Sequence, residues 1–271
     1  MTEQTVEVDG QLIAYRQSHG SGRTVILVHG NSSSARTWRP LLDGAFGRRF
    51  RTLALDLPGH GRSPAASDAR QYSLPGYAEI LARFAAATSA RNAVVVGWSL
   101  GGHIALEAAA AMPDAAGFVI FGTPPVASAV QLSEAFLPNP AMNVGFAASV
   151  SRDEATAYAA SFTAPGSTLA LDEFIADILA TDGAARAGLS ASIGAGRFAD
   201  ELEVVRSLRQ PLAILHGSGE QLVSLAYLRQ LTAPGLWRGD VQLIGGAGHA
   251  PHRETPEQFV TLLEQFISDL G

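Results

Sequence analysis

Cysteine is absent from this sequence of 271 residues. Its absence excludes disulfide bonds, thiol nucleophiles, zinc–thiolate sites and iron–sulfur clusters. No run approaches the roughly 18 apolar residues of a membrane-spanning helix, and the first residues lack the basic region and apolar stretch of a signal peptide. Since a chain without cysteine suits a reducing compartment, we expect a cytoplasmic protein with no membrane partner.

Positive charge is also scarce. Lys and Arg together number 19 against 25 Asp and Glu, which gives a formal net charge of -6. Proteins that bind phosphate backbones normally carry the opposite balance, so we expect no nucleic-acid partner. Hydrophobic residues make up 47% of the chain and charged residues 16%, which is enough apolar material for a large buried core and excludes disorder as the main state.

Eight short segments predict strands, because they are rich in Val, Ile and Leu or alternate between apolar and polar residues. They are 5–8, 12–16, 24–28, 52–55, 93–96, 118–121, 212–215 and 241–244. Helices are predicted over 35–42, 74–87, 100–111 and 256–270. Strands that alternate with helices predict an α/β fold, with a mostly parallel, doubly wound, eight-stranded sheet and helices on both faces.

The interval from 125 to 209 interrupts this alternation, because it contains predicted helices (151–162, 171–180 and 184–193) but no predicted strand. Long insertions of this kind often cover the functional face of an α/β sheet. We therefore predict that residues 1–124 and 210–271 form the core and that residues 125–209 form a helical cap. The alternative is that these helices belong to the outer layer of the sheet.

The segment Gly97-Trp98-Ser99-Leu100-Gly101 joins a predicted strand to a predicted helix. A sharp turn at this point exposes the serine hydroxyl, and the flanking positions must be glycine because the strand and the helix approach closely. The start of the helix also directs free N–H groups and positive dipole charge to the same place. We predict that Ser99 is a catalytic nucleophile; a glycine-rich turn without chemistry is the alternative.

A serine nucleophile requires a base and an acid that orients the base. His249 follows the last predicted strand in a glycine-rich loop, and Glu220 follows the strand before it, in the chain order Ser, acid, His. His252 is the alternative base, and Asp240 is the alternative acid. The oxyanion hole is predicted from the backbone N–H groups of Asn31, in the loop after residues 24–28, and Leu100.

These motifs resemble those of the α/β-hydrolase superfamily over nearly the whole chain, through HGN (29–31), DLPGHG (56–61) and GWSLG (97–101). The chain is similar in particular to the AidH-type N-acyl-homoserine lactonases. GTPPV (122–126), TDGAAR (181–186) and the glutamate at 220, where most relatives have aspartate, carry that second resemblance.

The resemblance implies an α/β-hydrolase fold with a helical cap and opening of the lactone ring of quorum-sensing signals, with a small-molecule substrate, no cofactor and no metal ion. A cap tyrosine contacts the substrate in that family, which implies that Tyr158 and Asn31 bind the substrate here. A packed cap aromatic is the alternative role of Tyr158.

Three other functions remain open from the sequence. A carboxylesterase that accepts small esters would use the same triad. A small-molecule receptor on a hydrolase scaffold is the alternative from another functional class, and an intact triad argues against it. A metal-dependent lactonase is disfavoured because the sequence contains no dense cluster of His and Asp ligands; the HxxH spacing of His249 and His252 is only a weak metal signal.

Overall fold

The computed structural model describes residues 1–271, apart from the side chain of Ala129. Eight strands form one sheet, in the order β1-β2-β4-β3-β5-β6-β7-β8. Their bounds are β1 Thr2–Val8, β2 Gln11–Gln17, β3 Gly22–Val28, β4 Phe50–Leu55, β5 Val94–Trp98, β6 Gly117–Phe121, β7 Leu212–Gly217 and β8 Gln242–Ile244. Each of the eight predicted strands corresponds to one of these, so the predicted fold class is confirmed.

The sheet is antiparallel at one end and parallel elsewhere. β1 and β2 form a hairpin, and β2 also pairs antiparallel with β4, whereas all other neighbours are parallel. Asp9 and Gly10 close the hairpin with positive φ angles of 49° and 75°, the conformation that a two-residue hairpin turn requires. Every residue of β5, β6 and β7 is buried, as expected for strands that are covered on both faces.

Twelve α-helices surround the sheet. Their bounds are α1 Arg39–Asp43, α2 Ala45–Arg49, α3 Leu74–Ala87, α4 Leu100–Ala108, α5 Leu132–Ala135, α6 Arg152–Ala160, α7 Asp172–Ala180, α8 Gly183–Gly194, α9 Glu201–Ser207, α10 Leu225–Leu228, α11 Pro251–Glu254 and α12 Pro256–Asp269. Short 3-10 helices occur at Ala35–Trp38, Ala69–Gln71, Ala109–Ala111, Ala129–Gln131, Pro140–Phe146 and Trp237–Gly239. Within the part of the chain that the structure describes, no helix combines the length and apolarity needed to cross a membrane.

Local sequence explains where the longer helices begin. The Ser73 hydroxyl accepts a hydrogen bond from the Gly76 N–H at the start of α3. Ser151 and Glu154 form a reciprocal capping box at the start of α6. The predicted helix over 35–42 was wrong in detail, because the structure divides it into the 3-10 helix Ala35–Trp38 and the short helix α1, which has Pro40 in its first turn.

The interval between β6 and β7 contains α5 to α9. Helix α6 packs against α7, α8 packs against the 3-10 helix Pro140–Phe146, and α9 packs against α4 of the core. Helix α9 was not predicted; Asp200 caps it by accepting a hydrogen bond from the Glu203 N–H. The cap over 125–209 stays a prediction.

Candidate active site

Ser99 lies at the turn between β5 and α4, with φ 54° and ψ -118°. Two close backbone approaches explain why glycine flanks it. A Cβ atom on Gly97 would lie 2.3 Å from the Gly101 carbonyl oxygen, and one on Gly101 would lie 2.3 Å from the Val28 carbonyl oxygen. The positive φ angle is costly for a serine, by about 1–3 kcal/mol. The surrounding chain therefore imposes the conformation that projects the hydroxyl away from the sheet.

Hydrogen bonds hold this turn against the end of β6. The Ser99 N–H donates to the Phe121 carbonyl over 2.8 Å. The Thr123 hydroxyl donates to the Ser99 carbonyl, also over 2.8 Å. Both backbone polar groups of Ser99 are thus bonded to residues at the end of β6, which keeps the turn in its strained form.

His249 and Glu220 form a buried pair beside this turn. The distance from His249 Nδ1 to Glu220 Oε2 is 2.9 Å, and each side chain is 2% exposed. The Trp98 indole N–H donates to the His249 carbonyl over 2.8 Å. A Cβ atom on Gly122 would lie 2.6 Å from His249 Cε1, so glycine at 122 leaves room for the imidazole.

Glu220 is negatively charged in this environment. Burial by itself would raise the pKa of Glu220, but the facing His249 and the Leu222 N–H outweigh it, so the pKa lies below its ordinary value. The Leu222 N–H donates to Glu220 Oε1 over 2.8 Å. An ionised carboxylate at this point fixes the imidazole with its proton on Nδ1 and its lone pair on Nε2.

The alternative base and the alternative acid lie elsewhere. His252 is completely buried, and its Nε2 atom is 2.8 Å from the Thr37 hydroxyl. Burial holds the pKa of His252 well below its ordinary value. Asp240 is 61% exposed and lies 3.9 Å from Arg229. Neither residue contributes to the cavity into which Ser99 and His249 project.

The loop after β3 lies directly against the turn at Ser99. A Cβ atom on Gly30 would lie 3.3 Å from the Ser99 Cβ atom. The next residue, Asn31, is 8% exposed, and its side-chain amide donates to the Gly145 carbonyl over 2.6 Å. Leu100 is the first residue of α4, so its N–H has no acceptor within the helix. Asn31 and Leu100 thus line the same cavity as Ser99, and the oxyanion hole formed by their backbone N–H groups stays a prediction.

A cavity of about 480 Å³ opens over Ser99. Of the predicted site residues, Asn31, Leu100, Tyr158 and His249 also line it, whereas Glu220 lies behind His249. The remaining wall is mostly apolar and comes largely from residues 126–201. It consists of Leu74, His103, Val126, Leu132, Ser133, Phe136, Leu137, Pro138, Asn139, Met142, Asn143, Phe146, Leu189, Ile193, Phe198, Glu201 and Leu222. The volume and the apolar wall suit a small organic ligand.

Tyr158 lies next to Asn31 in this cavity. A Cβ atom on Gly145 would be 2.7 Å from the Tyr158 hydroxyl oxygen and 2.9 Å from Asn31 Nδ2, so both side chains converge on that glycine. Burial raises the pKa of Tyr158, although the neighbouring Arg186 opposes the shift. The phenol therefore keeps its proton and is available as a hydrogen-bond donor.

Two carboxylates near the cavity were not predicted as site residues. Glu201 lies 2.8 Å from His103 Nδ1. Glu254 accepts hydrogen bonds from the backbone N–H groups of Ala164 and Gly248. Sequence spacing gave no signal for the contact of Glu201, since 98 positions separate it from His103. Within the described residues, no three His, Asp or Glu side chains come together as a metal site would require.

Known proteins resemble the chain over most of its length. A sequence model described as "Alpha/beta hydrolase family" matches residues 25–262. A pimeloyl-acyl-carrier-protein methyl ester esterase of Xylella fastidiosa is 30% identical, over 94% of this chain and 99% of that protein. The enzyme of the same name from Aeromonas hydrophila is 28% identical, over 92% and 96%.

Solved structures resemble it as well. N-acyl homoserine lactonase AidH complexed with N-butanoyl homoserine is 35% identical, with a TM-score of 0.95, and the match covers 100% of this chain and 97% of that chain. The esterase RhEst1 from Rhodococcus sp. ECU1013 is 27% identical, with a TM-score of 0.83 and 100% of both chains covered.

Proposed function

This chain belongs to the α/β hydrolase family, and we propose that it opens the lactone ring of N-acyl-homoserine lactones by serine catalysis. The observation that carries the proposal is the position of Ser99 in one apolar cavity with His249, whose imidazole is held by the buried Glu220. The likeness to the lactonase AidH, at 35% identity, supports the choice of substrate.

In the first half of the proposed reaction, His249 Nε2 removes the proton of the Ser99 hydroxyl. The serine oxygen attacks the lactone carbonyl carbon, and the N–H groups of Asn31 and Leu100 stabilise the oxyanion. The ring C–O bond then breaks, and His249 gives its proton to the departing oxygen. The product of this half is an acyl-enzyme, whose new hydroxyl group stays attached to the acyl portion.

In the second half, His249 removes a proton from water, and the resulting hydroxide attacks the acyl-enzyme. The bond to Ser99 breaks, the serine regains a proton from His249, and N-acyl-homoserine leaves as a carboxylate with release of one proton. Glu220 remains ionised and stabilises the imidazolium that forms in each half. Every step uses side chains and backbone groups of this chain.

We assign Tyr158 a positioning role in this reaction. Its hydroxyl lies beside the Asn31 side chain at the cavity wall, and its proton is retained because burial raises the pKa. A donor at this place is suited to a carbonyl oxygen of the substrate. The role is distinct from chemistry at the scissile bond, since the proposed proton transfers all pass through His249.

The second candidate is a carboxylesterase that acts on unstrained esters. It is favoured by the curated relatives, which are named as methyl ester esterases and are matched over nearly their whole length. The triad would be the same, so the two functions differ in the substrate that the apolar wall selects.

The deciding experiment measures proton release after N-hexanoyl-homoserine lactone is mixed with the protein, in the presence and absence of a chelator. We expect acidification that survives the chelator, and a product that closes again to the lactone in acid. Dimethyl pimelate and a 4-nitrophenyl ester serve as comparison substrates, and Ser99→Ala is the inactive control. Turnover of the esters without turnover of the lactone would reject the lactonase proposal and favour the esterase.

A further inference from the structure

A second imidazole–carboxylate pair lies in the wall of the active-site cavity. His103 Nδ1 is 2.8 Å from Glu201 Oε1 and 3.0 Å from Glu201 Oε2. The Glu201 side chain is 0% exposed, and its Oε2 also accepts a hydrogen bond from the Val126 N–H over 2.9 Å. The carboxylate is thus fixed by two donors from different parts of the chain, and it fixes the imidazole in turn.

The other ring nitrogen of His103, Nε2, takes no part in this pair. Within the part of the chain that the structure describes, His103 Nε2 has no hydrogen-bond partner, and the side chain is 14% exposed. Both His103 and Glu201 line the cavity. With the Nδ1 proton donated to Glu201, a neutral imidazole presents a lone pair at Nε2, which accepts a hydrogen bond.

Apolar side chains form much of the same cavity wall. Val126, Leu132, Phe136 and Phe198 line the same cavity, and the ring centroids of His103 and Phe136 are 6.4 Å apart. Within the described residues Nε2 has no protein partner but is open to solvent, so a ligand hydroxyl can take the place of water there and donate to it.

His103 also lies close to Ser99 in the fold. It is carried by α4 and follows Ser99 by four residues, and the His103 N–H donates to the Ser99 carbonyl. Ser99 and His103 also line the same cavity. A substrate held at Ser99 therefore presents to His103 a group that is several bonds from the scissile carbonyl.

We propose that His103, oriented by Glu201, forms a subsite for a hydroxyl group on the acyl chain of the substrate. The inference rests on the proposed lactonase function and refines its substrate class to hydroxyl-substituted N-acyl-homoserine lactones. The hydroxyl donates to His103 Nε2, while the rest of the chain packs against the apolar wall. His103 is a specificity-determining residue and takes no part in the proton transfers at Ser99.

The test compares kcat/KM for three lactones with acyl chains of equal length: unsubstituted, 3-hydroxy and 3-oxo. We expect the wild-type protein to prefer the hydroxylated chain by about tenfold, the worth of one hydrogen bond. In His103→Asn the amide takes the place of Nδ1 and keeps the bond to Glu201 but leaves the Nε2 position empty, so this preference should disappear. In His103→Gln the amide reaches the Nε2 position, so part of the preference should return.

The two variants separate a ligand role from a structural role. If His103 serves only to pair with Glu201, His103→Asn keeps the wild-type order of substrates, and this outcome overturns the proposal. A His103-dependent preference for the 3-oxo chain also overturns it, since a keto oxygen requires a donor. Glu107→Gln is the matched control: Glu107 is on the same helix and accepts from the Ala199 N–H, but it lies outside the cavity lining, so selectivity should not change.

Failure of the subsite and failure of the proposed function give different results. Equal kcat/KM on all three lactones, unchanged by His103→Asn, rejects the subsite and leaves the lactonase proposal intact. Absence of turnover on all three, with turnover of a 4-nitrophenyl ester, rejects the lactonase function itself. Thermal melting of each variant checks that it folds. If His103→Asn does not fold, the wild-type protein alone decides, since equal kcat/KM for the 3-hydroxy and unsubstituted lactones overturns the subsite.

Discussion

The side-chain amide of Asn31 donates a hydrogen bond to the carbonyl of Gly145 over 2.6 Å, across 114 positions of sequence. The same stretch is anchored two residues later, where the Arg186 guanidinium donates to the Ala147 carbonyl over 2.6 Å. The loop that carries the proposed oxyanion donor is therefore held by a hydrogen bond to the segment that forms much of the cavity wall. A substrate that displaces this wall also displaces the donor loop.

The strained backbone of Ser99 gives one prediction. Because φ is 54° and ψ is -118°, Ser99→Gly should abolish turnover and raise the free energy of unfolding by about 1 kcal/mol. Urea unfolding measures the stability, and proton release measures the turnover. Ser99→Ala is the matched control, which should be equally inactive but not stabilised. Equal stabilities of the two variants would argue against strain, and residual wild-type activity would argue against a serine nucleophile.

Glu220→Gln keeps the shape of the side chain and removes its charge. Since the buried carboxylate is 2.9 Å from His249 Nδ1, we expect kcat to fall by about 10²- to 10⁴-fold, with the fold retained. Asp240→Asn, on the exposed residue that pairs with Arg229, should change kcat by less than about twofold. The opposite pattern would transfer the role of the acid to Asp240.

Tyr158→Phe removes one hydroxyl group from the cavity. If that hydroxyl positions the amide-bearing substrate, kcat/KM on an acyl-homoserine lactone should fall by about tenfold or more, with a smaller effect on a 4-nitrophenyl ester. The comparison of the two substrates is the measurement that matters. An equal loss on both would assign Tyr158 a packing role, in keeping with its edge-to-face contact with Phe162.

Glu254 links the loop of His249 to the chain after α6. Its two carboxylate oxygens accept from the Gly248 N–H at 2.6 Å and the Ala164 N–H at 2.9 Å. Glutamine has one acceptor oxygen, so Glu254→Gln leaves one N–H unpaired and should cost about 1–3 kcal/mol of stability. We expect kcat to fall while KM changes little, because the His249 loop loosens. Glu257→Gln, on an exposed neighbour in α12, is the control that should leave both unchanged.

Buried histidines predict how stability depends on pH. Burial lowers the pKa of His29 from 6.5 to about 4 in the folded chain. Between these values the unfolded chain binds a proton that the folded chain does not, so the free energy of unfolding decreases as the pH falls through this range. The loss attributable to His29 is on the order of 3 kcal/mol.

The measurement is the unfolding free energy of wild type and His29→Gln at pH 7, 5.5 and 4. Glutamine can still accept from the Leu57 N–H, as His29 Nε2 does over 3.1 Å. The variant should lose less stability on acidification than the wild type. If the unfolding free energies of the two proteins fall in parallel as the pH is lowered, His29 does not titrate in the way that its burial predicts.

The sequence was informative where structure depends on neighbours in the chain. The alternation of apolar runs with helical segments was sufficient to predict all eight strands. The apolar signal is direct for β5 to β7, because these strands are covered on both faces and contain no exposed residue. The glycines around Ser99 marked a close approach that the structure contains, with Gly97 against Gly101. Each predicted triad residue follows a strand of the parallel sheet, and the topology brings Glu220 to His249.

Residues that meet through packing could not be found in the same way. His103 occurs within an apolar helix, and Glu201 looks like an ordinary acidic residue at the start of a short one. Nothing in their spacing predicts the pair. Helix α9 was missed for a related reason: at seven residues it is too short to be stable alone and depends on its contacts with α4.

Glycines on one side of the active site have a consequence for how ligands reach it. A Cβ atom on Gly248 would lie 2.4 Å from the Thr163 carbonyl carbon, and one on Gly219 would lie 2.7 Å from the Ala164 Cβ atom. The loops of His249 and Glu220 are thus in tight contact with the chain after α6. Separating them from that chain would displace the proposed triad residues. Leu137 and Phe146, which are 37% and 38% exposed, line the cavity from positions that solvent reaches, so we expect substitutions there to change the access of ligands while the loops of His249 and Glu220 keep their geometry.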